Sequence, residues 1–252
     1  MSQAERERRA YDETAMWQRC HDAHMRFRHV FECPNTRRGD RLFTAMLEAA
    51  VPGRRVLELG CGDGTMARHM LDRGARHVLA ADVSERFLSI ARTRTIAGRL
   101  EFANLDVAQP IAGEFDVIFG SAILHHLDHR RVLAGLYERN LSPGGRMIFR
   151  EPLGSNLLLR LWWRLGAGAH TADERPFYAH DLRWLRERFP GFQLSGINYL
   201  SLPAAIASSL VLRSADNALL RATDAIDDWL DRHCPWLRPR FRQAVMVIDK
   251  RP

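Results

Sequence analysis

The chain has 252 residues, of which 46% are hydrophobic and 27% are charged. This length and composition are typical of one large globular domain or two small ones, and they exclude a disordered, collagen-like or coiled-coil protein. The formal net charge of +7 is a surplus that proteins binding nucleic acids or membrane surfaces often carry. The arginine surplus is spread along the chain without a run of five or six like charges, which argues against a nucleic-acid partner.

The cysteine content and the length of the apolar stretches indicate in which cellular compartment the protein is expected. The four cysteines are Cys20, Cys33, Cys61 and Cys234. They form no C-x-x-C pair and are too few for a disulfide scaffold, so we expect reduced thiols. Residues 1–10 lack the apolar core of a signal peptide, and the apolar stretches 156–167 and 203–212 are shorter than the roughly 20 residues that span a bilayer. We therefore expect a cytoplasmic protein without a transmembrane segment, which at most lies on a membrane surface.

The first fifty residues mix aromatic and basic side chains at spacings that suit two helices. This pattern predicts an N-terminal helical cap, residues 1–50, over the ligand-binding edge of a sheet. A pocket that excludes water is commonly closed by aromatic side chains, so Tyr11, Trp17 and His21 are candidate residues of a substrate pocket.

Residues 51–252 are predicted to form a Rossmann-like domain. From Arg54 to Arg150, short apolar runs alternate with helical stretches, which is typical of parallel βαβ units. The predicted strands cover 55–59, 77–81, 100–103, 115–120 and 146–151. The predicted helices cover 66–72, 85–95 and 130–139, and Ser84 is placed to cap the second of them.

The rest of the chain predicts two more strands and a helical insert. Helices are predicted at 157–165 and 180–189, strands at 191–198 and 243–248, and the insert at about 203–235. Within the insert, apolar residues recur at three- and four-residue steps and predict one buried stripe, formed by Leu219, Ala222, Ile226 and Trp229. With seven strands in total, we predict an α/β fold with a doubly wound, mostly parallel sheet and an antiparallel last strand.

The strongest local motif is a glycine-rich loop after the first strand. The stretch VLELGCGDGT, from Val56 to Thr65, is an apolar strand that ends in alternating glycines and opens a helix. Glycine permits a tight turn and the close approach of a ligand, and the helix N-terminus offers unpaired N–H groups. The dinucleotide fingerprint G-x-G-x-x-G would need glycine where Thr65 stands, and a Walker loop would need a lysine that is absent here.

Two aspartates follow the next two strands at positions that suit a nucleoside. Asp82 ends the second predicted strand, where doubly wound folds place a carboxylate that accepts hydrogen bonds from ribose hydroxyls. Asp106 lies just past the third strand, where an acid can accept a hydrogen bond from an exocyclic amine.

Together these motifs resemble the class I S-adenosylmethionine-dependent methyltransferases of the broad type 11 group. The resemblance covers about residues 50–152 and rests on ELGCGDG at 58–64, Asp82, Asp106, FDVIFG at 115–120 and LSPGG at 141–145. The stretches EPLG at 151–154 and DERP at 173–176 look like a bacterial subgroup of the family.

The resemblance implies S-adenosylmethionine as the cofactor. It places the glycine loop at the methionine part, Asp82 at the ribose and Asp106 at the adenine amine. Ser121 and Ala122, after the fourth strand, then face the sulfonium. The cofactor-binding residues expected on this basis are Glu58, Gly60, Cys61, Gly62, Gly64, Asp82, Val83, Asp106, Val107, Ser121 and Ala122.

Candidate catalytic side chains follow the fourth strand. Imidazole titrates near neutrality, so His125 or His126 is a candidate base, and the alternative is that one packs while the other bonds the backbone. Tyr178 is a further catalytic candidate, and Tyr178 and His180 are candidates for the substrate pocket. No spaced carboxylate or cysteine partner accompanies the histidines, so no metal site is predicted.

Methyl transfer to a small-molecule acceptor is the function that the resemblance implies. One alternative is a cyclase or lyase on the same fold that releases methylthioadenosine, for example with a small cyclic amino acid as the other product. A cofactor sensor without enzymatic activity is another, against which the complete set of motifs argues. An RNA methyltransferase is the third, and its support is a C-terminal cluster, Arg232, Arg238, Arg240 and Arg242 with Trp236 and Phe241. Base N-methylation is disfavoured, because GSAI at 120–123 stands where Asp or Asn, Pro-Pro and an aromatic residue would.

Overall fold

The N-terminal segment is built of four helices that lead into the sheet. The computed structural model describes residues 3–156 and 174–252, without the side chains of residues 14–17. The helices are α1 (Gln3–Asp12), α2 (Thr14–Arg26), α3 (Arg28–Glu32) and α4 (Pro34–Ala50). The prediction of two helices in this segment is therefore wrong. One of the breaks has a clear cause, because Pro34 has no N–H to continue α3 and instead begins α4, where that N–H is not needed.

Within the described residues, seven strands form one sheet. They are β1 (Arg55–Leu59), β2 (His77–Asp82), β3 (Leu100–Asn104), β4 (Phe115–Ser121), β5 (Leu141–Pro152), β6 (Gly191–Ile197) and β7 (Gln243–Asp249). The order is β3-β2-β1-β4-β5-β7-β6, and β7 runs antiparallel to both of its neighbours while the other pairs are parallel. This confirms the predicted doubly wound sheet with an antiparallel last strand.

Helices cover both faces of the sheet. They are α5 (Thr65–Asp72), α6 (Glu85–Ala91), α7 (His129–Gly135) and α8 (Ala179–Arg188). As predicted, the Ser84 hydroxyl caps α6 by accepting a hydrogen bond from the Phe87 N–H at 3.3 Å. The predicted helices 85–95 and 130–139 are shorter than expected, since they continue as a 3-10 turn at Arg92–Arg94 and a π turn at Leu136–Asn140.

Two apolar layers, one on each face of the sheet, form the main core, and a smaller buried cluster joins α3 to the helices before β7. Successive strand residues point to opposite faces, so on β1 Leu57 joins one layer and Val56 the other. Strands buried on both faces are largely apolar, as β1 is at Val56, Leu57 and Leu59, although β1 also carries the buried Glu58. The strand order reverses between β1 and β4, and in sheets of this kind ligands bind beyond the carboxyl ends of the strands at that reversal.

In the helical insert before β7, the helix side that was predicted to be buried faces solvent. It consists of α9 (Ser201–Val211), α10 (Ala218–His233) and a 3-10 helix (Pro235–Arg240). The predicted buried stripe of α10 faces solvent, with Leu219 47%, Ile226 46% and Trp229 55% exposed and Ala222 also exposed. The prediction of a buried stripe is wrong because tertiary partners draw the acidic side of α10 inward, so that Asp227 is fully buried.

The C-terminal cluster of basic and aromatic residues is not one surface. Arg242 and Phe241 are buried, and Arg238 is partly buried and bonds Asp231, so only Arg232, Arg240 and Trp236 of the predicted RNA-binding cluster are exposed.

Two other predictions concern the helix at 157–165 and the absence of a transmembrane segment. The predicted helix 157–165 lies outside the described residues. Among the helices that the structure describes, none is long and apolar enough to cross a membrane.

Candidate functional site

The glycine loop after β1 turns through conformations that only glycine adopts easily. Gly60, Gly62 and Gly64 have φ of 66°, 53° and 75°, all in the left-handed region. A Cβ atom at Gly64 would lie 2.5 Å from the Phe102 ring, and one at Gly60 would lie 2.9 Å from Ile123. The loop is therefore packed on one side and leaves its backbone open toward a ligand at Gly62, where the nearest side-chain atoms are 3.9 Å away.

Asp82, at the end of β2, holds the glycine loop in place. One carboxylate oxygen accepts a hydrogen bond from the Gly62 N–H at 2.9 Å, and the other accepts one from the Ser84 N–H at 2.9 Å. Each carboxylate oxygen can accept a further hydrogen bond, so two acceptor positions remain for hydroxyl groups. Burial raises the pKa of Asp82, and the backbone N–H bonds partly oppose that shift by favouring the charged form.

Asp106 follows β3 on the same edge of the sheet. Its Oδ1 accepts a hydrogen bond from the Ala108 N–H at 2.9 Å, and its Oδ2 lies 3.4 Å from Nε2 of Gln109. The carboxylate is thereby held at the wall of a cavity, between the apolar side chains of Leu105 and Val107.

A cavity connects these elements with α1. Its volume of about 350 Å³ is within the size range of small-molecule sites. Nine residues of the predicted site line it: Tyr11, Gly60, Gly62, Asp82, Val83, Asp106, Val107, Ala122 and His126. Ala122 has a φ of 55°, which is uncommon for a residue with a side chain, and its N–H donates to the Arg150 carbonyl at 2.8 Å. Backbone strain of this kind concentrates at functional sites.

Several predicted cofactor residues do not reach the cavity wall. They are Glu58, Cys61, Gly64 and Ser121. Burial raises the pKa of Glu58 well above its ordinary value, and Oε2 of Glu58 has no hydrogen-bond partner among the described residues. Burial likewise raises the pKa of the Cys61 thiol, and the Ser121 hydroxyl accepts a hydrogen bond from Arg150. These groups shape the loop and strand ends that carry the lining residues.

His125, the first histidine of the pair, is held away from the cavity. Its Nδ1 lies 2.8 Å from Oε2 of buried Glu151. The other oxygen of Glu151 accepts hydrogen bonds from the N–H groups of Ile123 and Leu124 at 3.0 and 2.9 Å. His125 therefore belongs to a network that fixes the turn after β4.

His126 lines the cavity and lies between acidic groups. Its Nδ1 is 3.2 Å from Oε2 of Glu7 and 3.9 Å from Oε1 of Glu174, while its Nε2 is 3.5 Å from the Tyr11 hydroxyl. Burial by itself favours neutral imidazole, but the contact with Glu7 and the negative charges of Glu174 and Glu151 outweigh it and raise the pKa of His126. Burial and the negative charges of Glu174 and Glu7 raise the pKa of Tyr11, which therefore stays protonated at neutral pH.

The other predicted substrate residues lie off the cavity wall. Tyr178 and His180 stack with their ring planes 5° apart at the start of α8, and His180 is exposed. His21 on α2 is exposed, and the side chain of Trp17 is outside the described part of the chain. The segment before α8 nevertheless approaches the histidines, because the Arg175 N–H donates to the His125 carbonyl at 2.6 Å.

Helix α1 contributes Gln3, Ala4 and Glu7 to the cavity wall beside the predicted Tyr11, and none of these three was predicted. Gln3, Glu7 and Tyr11 recur every four residues and so share one face of α1, which closes the cavity. The four-residue spacing is a signal in the sequence, but Glu7 stands among Glu5, Arg6 and Arg8, a pattern typical of a solvated face. Phe87 of α6 also lines the cavity without having been predicted.

The residues at the cavity fit the cofactor that the sequence resemblance implies. Carboxylates such as Asp82 and Asp106 accept hydrogen bonds from hydroxyl and amine groups. Val83, Leu105 and Val107 supply apolar surface between them for a planar base. Among residues 3–156 and 174–252, no group of three or more His, Cys, Asp or Glu side chains could hold a metal ion.

Comparisons with known proteins show the family to which the chain belongs. The family model described as "Methyltransferase domain" matches residues 24–194. The chain is 31% identical over 153 residues to a ubiquinone biosynthesis O-methyltransferase of Acinetobacter baylyi, covering 52% of this chain and 62% of that protein. It is 30% identical over 173 residues to a malonyl-[acyl-carrier protein] O-methyltransferase of Enterobacter lignolyticus, covering 65% of each. These matches span less than two thirds of either relative.

The fold is also similar to that of solved structures. Magnesium protoporphyrin IX methyltransferase from Synechocystis PCC 6803, with bound SAH, matches with a TM-score of 0.58 and 15% identity, covering 99% of this chain and 100% of that one. At this identity the similarity concerns the fold alone.

Proposed function

Because this chain belongs to the methyltransferase-domain family, within the class I S-adenosylmethionine-dependent methyltransferases, we propose that it methylates a hydroxyl or carboxyl oxygen of a small molecule. One observation carries the proposal: a single cavity joins the glycine loop, Asp82 and Asp106 to a histidine whose Nδ1 faces two glutamates. The first group of residues suits a nucleoside cofactor, and the second suits proton transfer.

The cofactor end of the cavity is proposed to act by positioning. Asp82 would accept hydrogen bonds from the ribose hydroxyls, and Asp106 would accept one from the adenine amine. When bound, S-adenosylmethionine supplies a methyl carbon on a sulfonium that is already a good leaving group. Much of the remaining rate enhancement can then come from alignment and exclusion of water, and α1 closes the cavity with Gln3, Glu7 and Tyr11.

His126 is proposed as the base that receives the proton of the acceptor. An acidic partner at Nδ1 favours the tautomer with the proton on that nitrogen, which leaves the Nε2 lone pair free to accept a proton. Glu7, 3.2 Å from Nδ1, would then stabilise the imidazolium that forms. The Tyr11 hydroxyl, 3.5 Å from Nε2, would orient the ring or the incoming acceptor.

An oxygen acceptor is favoured by two observations. A protonated hydroxyl or carboxyl group needs a base to become nucleophilic, and His126 offers one at the cavity wall. The two curated relatives described above are both named O-methyltransferases.

Calorimetric titration of the purified chain with S-adenosylmethionine tests the cofactor part of the proposal. We expect wild-type protein to bind and Asp82→Ala to lose binding. A wild-type chain that binds neither S-adenosylmethionine nor S-adenosylhomocysteine would contradict the proposal.

Product analysis then tests the reaction. Incubation with candidate phenols and carboxylic acids should release S-adenosylhomocysteine together with a methyl ether or ester. Release of methylthioadenosine instead would show cyclisation or lysis of the cofactor, and a methylated RNA product would show a nucleic-acid substrate.

A further inference from the structure

The helical insert presents an apolar face to solvent. We define the insert face as the outward side of α10, the C-terminal end of α9 and the 3-10 helix after α10. Its centre is the solvent-facing stripe of α10 described above. Leu210, 82% exposed, and Val211, 79% exposed, lie at the C-terminal end of α9, and Trp236, 68% exposed, lies on the 3-10 helix that follows α10. Monomeric soluble proteins rarely leave apolar side chains of this size exposed together, so the face calls for a binding partner.

The acidic residues of α10 all turn away from this face. Asp224 and Asp228 form ion pairs with Arg38 of α4 at 2.8 and 3.0 Å. Asp227 is buried and accepts hydrogen bonds at the start of α9, while Asp231 accepts one from the Gly196 N–H at 2.6 Å. The tertiary structure thus removes negative charge from the outward side of the helix.

Basic side chains are distributed around the same face. Between residues 199 and 241, the exposed charged residues are Arg213, Arg221, Arg232, Arg240 and Asp216. Asp216 pairs with Arg221 at 2.6 Å, and Arg232 bonds Asp228 at 2.7 Å while its side chain remains 68% exposed. We call these five residues the rim of the insert face. With four arginines and one aspartate, the rim carries a net positive charge around an apolar centre.

We propose that the insert face binds the surface of an anionic membrane. Helices that lie in a bilayer interface combine an apolar face with basic flanking residues, and tryptophan is enriched at that depth. Trp229 and Trp236 are placed to enter the interface, and the arginines are placed to meet anionic headgroups.

Two other partners fit the face less well. A two-fold contact with a second copy would bring the same arginine rim against itself, which like-charge repulsion disfavours. A nucleic acid would contact the arginines but would leave Leu210, Val211 and Ile226 without an apolar partner. A membrane interface satisfies both the apolar centre and the basic rim.

Flotation of the full chain with lipid vesicles tests the proposal. We expect the protein to float with vesicles of phosphatidylcholine containing about 30% phosphatidylglycerol, to float poorly with phosphatidylcholine alone, and to be released by salt. The double substitution of Ile226 and Trp229 by serine should weaken partitioning about tenfold or more. Arg232→Gln should weaken it about fivefold.

Ile90→Ser is the matched control, because Ile90 is also an exposed apolar residue but lies on α6, at the other edge of the sheet. It should float as the wild type does, and thermal unfolding should show that all variants fold. The proposal is overturned if the wild type does not float with anionic vesicles or if the double variant floats equally well. It is also overturned if the substitutions abolish self-association or RNA binding and leave flotation unchanged.

Discussion

Oε2 of Glu7 lies 3.2 Å from Nδ1 of His126, although one residue belongs to the first helix and the other follows the fourth strand. Both residues line the cavity, with Glu174 facing Nδ1 and Tyr11 facing Nε2 of the imidazole ring. Glu7 is thus the residue through which α1 controls the charge of the proposed base.

The first prediction concerns the pH dependence of methyl transfer. Only neutral His126 can accept a proton, and the pKa of His126 is raised, so kcat/KM should increase with pH and its rising limb should lie above the ordinary pKa of histidine. Glu7→Gln removes the contact that raises this pKa, which should move the rising limb to lower pH. Rate measurements between about pH 5 and 9 would show the displacement.

Glu5→Gln is the control for this experiment, because Glu5 is exposed on the same helix. It should leave the pH profile unchanged. His126→Ala should lower kcat about 100-fold or more if the imidazole is the base. A Glu7→Gln profile identical to that of the wild type would remove His126 from this role.

The second prediction separates cofactor binding from folding at Asp82. In Asp82→Asn one carboxylate oxygen becomes an NH₂ group, which donates and cannot accept. The hydrogen bond from either the Gly62 or the Ser84 N–H is therefore lost. We expect cofactor affinity to fall about 100-fold and stability to fall by about 1–3 kcal/mol. Calorimetric titration and urea unfolding measure the two effects.

Asp116→Ala provides the comparison. Asp116 also accepts a backbone hydrogen bond, from the Arg55 N–H at 2.8 Å, but it lies near the start of β4, away from the cavity. This variant should lose stability and keep its affinity for the cofactor. Equal loss of affinity in both variants would mean that the effect at Asp82 is one of folding.

The third prediction concerns the packing of the glycine loop. Gly64→Ala must hold a side chain at a φ of 75° and place Cβ 2.5 Å from Phe102. The left-handed backbone costs about 1–2 kcal/mol and the overpacking adds about 1–3 kcal/mol. Gly53→Ala has nearly the same φ, 74°, with nothing within 4 Å, so it should show the backbone cost alone in urea unfolding. Equal costs in the two variants would show that the loop yields without strain.

The fourth prediction concerns the buried acid of the insert. Asp227 accepts hydrogen bonds from the N–H groups of Tyr199, Leu200 and Ser201 at 2.7–3.0 Å. Asp227→Ala leaves these donors without their partner and should destabilise the protein by about 3 kcal/mol or more. Asp216→Ala removes only an exposed ion pair and should change stability by about 0.5 kcal/mol or less. Similar unfolding midpoints for the two variants would show that the insert is not held through Asp227.

Parts of the fold and site follow directly from local sequence. The alternation of apolar runs with helical stretches predicted the first five strands, because it depends on neighbours along the chain. The last two strands were predicted separately at 191–198 and 243–248, where β6 and β7 lie. The positions of Asp82 and Asp106 at strand ends also placed them on one edge, since the carboxyl ends of parallel strands meet there.

Other features depend on groups that are far apart in sequence. His125 and His126 are chemically identical neighbours, yet Glu151 draws one into the core network and Glu7 meets the other at the cavity wall. Nothing local to the pair distinguishes them.

Which side of α10 faces the core also could not be predicted from the local sequence. The three- and four-residue spacing of Leu219, Ile226 and Trp229 correctly predicted that they share one side of α10. Whether that side faces the core was decided by Arg38 and by the backbone donors before α9, which require the acids of α10 as partners.

By itself, the sequence determined the strands, the glycine loop and the two aspartates, because these depend on backbone conformation and on spacing within single βαβ units. Only the tertiary structure decided which histidine faces the cavity, that α1 closes it, and that the apolar side of α10 faces outward. In each of these cases the deciding group is a charged or hydrogen-bonding partner from a distant part of the chain, and burying it without its partner would cost more than exposing apolar surface.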